Sequence, residues 1–412
     1  MRRRALLSLL AIVFAAGMLL GACDDNDDGD DDESAPPETP ELTGPPIKIL
    51  TIAELSEGVS NPEIPEGIAG AVEAINRDGG INGSPVEFEE CDTNDDPNTA
   101  AECGRKAVDE GFAAVVGGLT VHGSEFLPLL ADNNIPVIGN VLASAADFTS
   151  PASFPIYGGI ISTSAALPRA LAESGAERIV AARIDLAEGA VIPLFGDAAL
   201  GSLDPPQAYA ADVPIPTNAP DMATYVAQVQ GADADAVVVA VPGQDALNFL
   251  TEMLEADPEI LAAMVTTSSD DVREALGDEV ADRLVYANPI VSSGEAYDQY
   301  VSDMDDAGFD EVGDFRDNMY AATMVFAEIA KTLPEGQVTA QAIWDALPQQ
   351  TAVTTGLTPP IDFSAPQEIP DSPLEGLRVF NLCEEIAILE DGVAVLQDGF
   401  IDPFTGEDCP AP

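Results

Sequence analysis

Apolar positions along this chain come in short runs that alternate with amphipathic stretches. Ile47 to Ile52 is an apolar, β-branched run that predicts a strand, and Ile64 to Asn76 has helical spacing. Gly79-Gly80-Ile81-Asn82-Gly83 reads as a turn, and Val86 to Cys91 alternates as a second strand. Pro97 to Glu110 has the pattern of a helix, and Ala113 to Gly117 that of a buried strand. The rhythm continues through Ile135 to Ile138, Ile179 to Arg183, Ala236 to Val241, Ala263 to Thr266 and Leu284 to Ala287, with helical stretches between them. Alternation of this kind predicts an α/β fold of mostly parallel sheets flanked by helices. Ligands of such sheets bind beyond the carboxyl ends of the strands, where loops meet helix N-termini.

Two stretches stand outside this rhythm, both before Ile47. Met1 is followed by Arg2, Arg3 and Arg4, an apolar run from Ala5 to Leu20, and then Leu20-Gly21-Ala22-Cys23. A cationic start with an apolar run too short to span a bilayer comfortably predicts an export signal over residues 1–22. Leu-Gly-Ala-Cys resembles the bacterial lipobox, which implies a lipid on Cys23 and a body held on the outer face of the bacterial cytoplasmic membrane. Residues 23–46 are read as a disordered tether: Asp24 to Glu33 is almost wholly acidic, and Ser34 to Pro46 is rich in Pro, Thr and Glu. Asp24, Asn26, Asp28 and Gly29 mimic the start of an EF-hand loop, but Ala35 stands where a bidentate Glu is needed, so solvation is expected there rather than calcium.

Composition supports a folded body behind the tether. The 412 residues are 46% hydrophobic, which is enough for two lobes with real cores. Charge is the unusual property: 73 acids face 15 bases, a net of −58, or −61 once Arg2, Arg3 and Arg4 leave with the leader. Nucleic acid and anionic lipid surfaces are repelled by such a body. Lysine is confined to Lys48, Lys106 and Lys331, a bias that resembles proteins adapted to high salt. Apart from Cys23 the cysteines are Cys91, Cys103, Cys383 and Cys409, which allow three pairings. Sequence proximity favours Cys91 with Cys103 and Cys383 with Cys409, each closing a short loop for roughly 3 kcal/mol on the chain-entropy model.

Several chemistries are disfavoured by the same reading. There is no Cys-x-x-Cys, and His122 is the single histidine, so neither a zinc finger nor a His-rich metal site can form. No Gly-x-Ser-x-Gly elbow and no Gly-x-x-x-x-Gly-Lys-Ser/Thr phosphate loop is present, and no pair of carboxylates stands out for glycoside chemistry. We therefore expect a binding protein without cofactor or metal rather than an enzyme.

The stretch Ile64 to Val86, with Gly70 inside it and Gly79 to Gly83 at its end, resembles the first helix and turn of the solute-binding proteins of ABC transporters, in the branched-chain amino acid (Leu/Ile/Val-binding) group of type I periplasmic binding proteins. Asp92 to Ala107, Ala113 to Gly118 and Asn134 to Ile138 match the next strand and helix units of that family, and Asn318 to Leu347 resembles its long helix and turn. The resemblance covers about Ile47 to Asp398. It implies two α/β lobes joined by three hinge crossings, placed near Ile161 to Ser164, Ala287 to Ser292 and Gln350 to Gly356. The lobes would comprise residues 47–162 with 290–352, and 163–289 with 353–412.

In amino-acid-binding relatives the ligand carboxylate is held by hydroxyls and backbone N–H groups of two first-lobe loops. These correspond to Leu119 to His122 and Asn140 to Ala146, which implies ligand contacts for Thr120, Val121, His122, Asn140, Ala143 and Ser144. A helix N-terminus favours an anion on physical grounds alone, although Thr120 and Ser144 at helix starts serve equally as caps. At the second-lobe positions the family uses, this chain departs from the pattern and offers Asp185, Gln244 (in Ala240 to Gln244, which replaces a Tyr-rich loop), Ser268 and Asp270; the last either pairs with a ligand amine or caps the helix starting near Val272. Val121 stands where relatives place a hydroxyl, and the loop Ile184 to Gly189 has no aromatic. His122 either lines the pocket, giving pH-dependent affinity, or sits in a partly exposed loop. Trp344 is read as core.

The implied function is the extracytoplasmic solute-binding component of an ABC importer. It would capture a small organic solute, an amino acid or a related amide or carboxylate, and deliver it as a monomer to a membrane permease with its ATPase. A ligand-sensing surface receptor with the same fold is the alternative, and an exported hydrolase the third reading. At about 1 M salt the Debye length is only ~3 Å, so the self-repulsion of this body is largely screened there. The melting temperature is therefore expected to rise between low and molar NaCl, and a flat or falling profile by differential scanning calorimetry would count against a saline adaptation.

Overall fold

The computed structural model describes residues 42–412 other than 57–59, 187, 218, 266–268, 314, 370–371 and 373. The leader, Cys23, the acidic tether and Ser268 lie outside the described residues, as does the side chain of Asp270. β1 (Ile47–Ala53) is buried along its length except at Lys48, as a strand covered on both faces must be. It pairs parallel with β2 (Val86–Asp92) from Ile47 with Val86 to Ala53 with Asp92, and on its other side with β3 (Ala114–Val116). β4 (Val137–Ile138) and β5 (Ser153–Phe154) complete a parallel sheet of order β2-β1-β3-β4-β5. A second parallel sheet, of order β10-β9-β8-β6-β7, holds β6 (Ile179–Ile184), β7 (Ala211–Ile215), β8 (Ala236–Ala240), β9 (Leu261–Met264) and β10 (Leu284–Val285). β8 reads Ala-Val-Val-Val-Ala and every residue of it is buried.

Helices cover the sheets where the apolar stripes predict them. α1 (Glu63–Arg77) buries Ile64, Ile68, Ala71 and Ile75, with Glu63 and Glu66 in its first turn and Arg77 in its last, both signs complementing the helix dipole. A Cβ on Gly67 would lie 2.2 Å from the carbonyl oxygen of Arg316, so α1 and α11 (Arg316–Lys331) touch backbone to backbone. α2 (Pro97–Asp109) is capped by Asp96, whose carboxylate accepts from Asn98 N and Thr99 N at 2.9 Å, with Pro97 at the first helical position. α3 (Gly123–Asp132) completes the first group, and α4 (Ile160–Glu173), α5 (Val191–Gly201), α6 (Ala223–Gly231), α7 (Gly243–Ala256), α8 (Ser269–Leu276) and α9 (Asp278–Ala281) belong to the second half. The chain returns through β11 (Ala287–Asn288), α10 (Glu295–Asp306), α11 and α12 (Ala340–Ala346). It ends on β12 (Glu385–Glu390) and β13 (Val393–Leu396), which join β11 in a small third sheet. The disulfides are Cys91–Cys103, joining β2 to α2, and Cys383–Cys409, the pairing expected from proximity.

The fold class is thus as expected, two parallel-sheet α/β lobes flanked by helices, but details of the division differ. Ile161 to Ser164 are not a crossing: they form the first turns of α4, and the chain passes over in the segment after β5 that ends at Gly159. Ser162 and Ser164 are both fully buried within that helix. Val353, Leu357, Ile361, Phe363 and Phe380 pack in the first lobe's core with Ile49 and Phe154, not in the second lobe to which residues 353–412 were assigned. Trp344 is half-buried at the rim of that core, edge-on to Phe154 at 6.0 Å. Among the described residues no helix is long and apolar enough to cross a membrane.

Where α4 meets the start of β12, Glu384 is fully buried. One carboxyl oxygen accepts from the Ser162 hydroxyl, while Oε2 has no partner among the described residues, and burial pushes the group up to about 8. An unfolded Glu titrates near 4.3, so the native state holds this proton more tightly than the unfolded chain. The stabilisation is complete below about pH 4.3 and is lost as pH rises towards 8. Glu384→Gln, which cannot ionise, is expected to lose less stability than the parent between pH 5 and 8.5, by a difference on the order of a few kcal/mol in urea unfolding. Identical losses in the two proteins would show that Glu384 titrates normally.

Candidate functional site at the carboxyl ends of the first sheet

β1, β3 and β4 end side by side, and the loops that follow them hold the first-lobe residues singled out in the sequence. Gly117 and Gly118 turn the chain out of β3 with φ of +64° and +100°, and a Cβ on Gly118 would lie 2.3 Å from the Ile52 carbonyl oxygen. This close approach lets Glu54 N donate to Leu119 O at 3.0 Å, which sets Glu54 beside Thr120. Glu54 is only 4% exposed, and its Oε1 accepts from the Thr120 hydroxyl at 3.0 Å and from Val121 N at 3.1 Å. The same hydroxyl accepts from His122 N at 3.1 Å. Val121 itself projects outward, 52% exposed.

The loop after β4 is built in the same way around Asp147, which is 3% exposed. Its carboxylate accepts from Asn140 Nδ2 at 3.0 Å, Ala143 N at 3.3 Å, and Ser144 N and Oγ, both at 2.7 Å. Burial raises Asp147 to about 6 against the pull of these donors. A Cβ on Gly123 would lie 2.4 Å from Ser144 Oγ and 3.0 Å from an Asp147 carboxylate oxygen. The carboxyl group therefore sits against the first residue of α3, where the helix dipole favours negative charge.

His122 precedes α3, and its Nε2 lies 3.2 Å from Asp95 Oδ1. In the second lobe Asp185 follows β6 and is exposed, its backbone N–H donating to Ile215 O at 2.8 Å. Gln244 lies in the first turn of α7, after β8, with its amide on Asn248 at 3.1 Å. Each of these residues thus stands at the carboxyl end of its sheet, the edge where an α/β fold places ligands.

A sequence model of the periplasmic binding protein family matches residues 46–381. The chain belongs to that family. No curated protein sequence matches it significantly. Among solved structures, a substrate-binding periplasmic protein from Ralstonia solanacearum is 17% identical with a TM-score of 0.69, the match covering 85% of this chain and 100% of that one. A branched-chain amino acid transporter substrate-binding protein from Streptococcus pneumoniae, in complex with isoleucine, is 15% identical with a TM-score of 0.63, covering 85% and 99%. A fatty acid ABC transporter substrate-binding protein from Thermomonospora curvata is 14% identical with a TM-score of 0.67, covering 90% and 97%. At these identities the likeness is one of fold.

In this periplasmic binding protein the donors expected to meet a ligand carboxylate already serve the chain's own carboxylates. Thr120 and Val121 donate to Glu54, and Asn140, Ala143 and Ser144 donate to Asp147. Sequence reasoning named the donors and missed both acceptors. Asp147 carried a local signal, the Ser144-x-x-Asp147 spacing of a side chain that folds back on nearby N–H groups. Glu54 carried only its place directly after an apolar strand. Removing a buried acceptor leaves its donors unsatisfied at about 1–3 kcal/mol. Asp147→Ala is expected to lower unfolding stability by that amount in a urea titration, whereas a change under about 0.5 kcal/mol would mean that the loop re-satisfies its donors without it.

Proposed function

We propose that the protein is the extracytoplasmic solute-binding component of an ABC importer, tethered through a lipid on Cys23, and that it hands a small organic solute to a membrane permease. The observation that carries this reading is the two-lobed fold of the family with hydroxyl, amide and carboxylate groups gathered at the carboxyl ends of both sheets. Closure of the lobes around a solute that touches both faces would give the conformational signal a permease reads. Thr120, His122 and Ser144 from the first lobe and Asp185, Gln244, Ser268 and Asp270 from the second are the proposed contacts.

The chemistry of the first-lobe loops narrows the solute. With Glu54 and Asp147 occupying the N–H and hydroxyl donors, a bare carboxylate arriving at the same place would meet two acids instead of a vacant cradle. A solute that presents an amine, amide or hydroxyl to this lobe fits better. Thermal-shift screening of the purified protein at molar salt, with amino acids, amides, amines and simple carboxylates, tests this. Amine- or amide-bearing compounds are expected to raise the melting temperature and shrink the radius of gyration in X-ray scattering, with affinity reduced at least tenfold by Gln244→Ala. A shift from simple carboxylates alone would overturn the narrowing. Absence of compaction with every compound that binds would overturn the solute-capture mechanism, and binding with compaction but no stimulation of a reconstituted permease would favour the sensor.

A further inference from the structure

Three adjacent strands of the first sheet, in the order β2-β1-β3, deliver Asp95, Glu54 and His122 to one spot. One ligand atom from each residue lies within 4.8 Å of the other two, and His122 Nε2 and Asp95 Oδ1 are 3.2 Å apart. Two features set this group apart from the acid clusters that so acidic a surface produces everywhere. It contains the chain's single imidazole, and its third member is a carboxylate that is only 4% exposed. Glu54 Oε1 takes the Thr120 and Val121 donors, which fixes this carboxylate at the edge of the sheet.

We propose that Glu54, Asp95 and His122 form a binding site for a divalent transition-metal ion of the zinc class. An imidazole and two carboxylates are ligand types that such ions accept, at about 2.0–2.2 Å from each donor. Donors of a tetrahedral ion stand roughly 3.4 Å from one another at that bond length, close to the observed His122 to Asp95 separation. Glu54 is held by Thr120 and Val121, so the fixed ligand is in place, and the other two close on it. His122 and Asp95 have side chains 19% and 46% exposed, which leaves them room to do so and gives the ion a path from solvent. Three protein ligands leave a coordination position open to water or to an oxygen of a solute. The ion would also offset the charge of the two carboxylates, at the lobe face where ligand is expected. The site requires neither an amine-bearing solute nor a permease, so its failure and that of the proposed function are separable.

The probe is Zn2+, titrated into the chelator-stripped full chain with 1 M NaCl and excess Mg2+ present to saturate diffuse surface sites. One equivalent is expected to bind by calorimetry. Because His122 is the only histidine, its ring resonances are unambiguous in NMR spectra, and they should move and saturate at that one equivalent. Asp95→Asn, which alters an exposed side chain, and His122→Ala are each expected to weaken Zn2+ at least tenfold, while Glu255→Gln, an exposed acid elsewhere, leaves it unchanged. Glu54→Gln should do the same as the first two, with urea unfolding in chelator checking that the loop remains folded. Zn2+ bound with unmoved His122 resonances, several weak equivalents insensitive to His122→Ala and Asp95→Asn, or no binding at all would each overturn the site.

Discussion

The pairing of β1 with β2 and β3, parallel and buried on both faces, is the constraint on which the first lobe depends. Parallel strands end on one edge, so the register that sets Ala53 opposite Asp92 also decides that residues just after β1, β2 and β3 share a small volume. The glycines after β3 let the chain fold over that edge close enough for a backbone bond between Glu54 and Leu119. From there the local chemistry follows: once Glu54 is buried beside Thr120, its carboxylate must be satisfied, and the nearest donors are those of the β3 loop. Asp147 repeats the solution one strand along.

This arrangement is unusual for so acidic a chain. With 73 acids, the simplest use of each is to stay solvated on the surface, yet Glu54, Asp147 and Glu384 are among those nearly removed from water. The three are handled differently. Glu54 receives a hydroxyl and an N–H, Asp147 receives four donors and rises only to about 6, and Glu384 receives little and rises to about 8. The order of the last two follows the donor count, as expected when hydrogen bonds oppose desolvation. Basic residues are placed as sparingly: Lys48 and Lys106 both converge on Glu89, at 3.0 and 2.9 Å, and Lys48 also lies over the Phe112 ring.

Much of this fold was legible in the sequence because continuous apolar runs mark strands buried on both faces, and these are the first sheet's β1 and the second sheet's β6 and β8. The two-residue strands β5 and β11 carry no such signal: among the described residues β5 pairs only with the equally short β4, and β11 only with β12. The burial of Ser162 in α4 has no local signal, because the partner of its hydroxyl, Glu384, lies 222 residues away in the chain. The site shows the same division. Thr120 and Ser144 were legible as loop hydroxyls through the family resemblance, but their partners were not, since Glu54 lies 66 residues from Thr120 and no local pattern joins them. The disulfides, spanning only 12 and 26 residues, are the pairs whose partners were legible from proximity alone.

Cations connect the body's net charge with its site. The chain's net charge of −58 concentrates cations around its whole surface, and salt weakens that diffuse attraction by screening. A buried or half-buried group of donors is screened much less, so high ionic strength strips the surface of its nonspecific hold while leaving a well-formed site largely intact. Glu54 meets that condition, being withdrawn from water and fixed by two hydrogen bonds, whereas Asp95 on the solvent side does not. Selectivity at the carboxyl edge of the first lobe therefore rests on the buried member of the cluster and on the one imidazole beside it. The acidity of the remaining surface sets only how often a cation arrives.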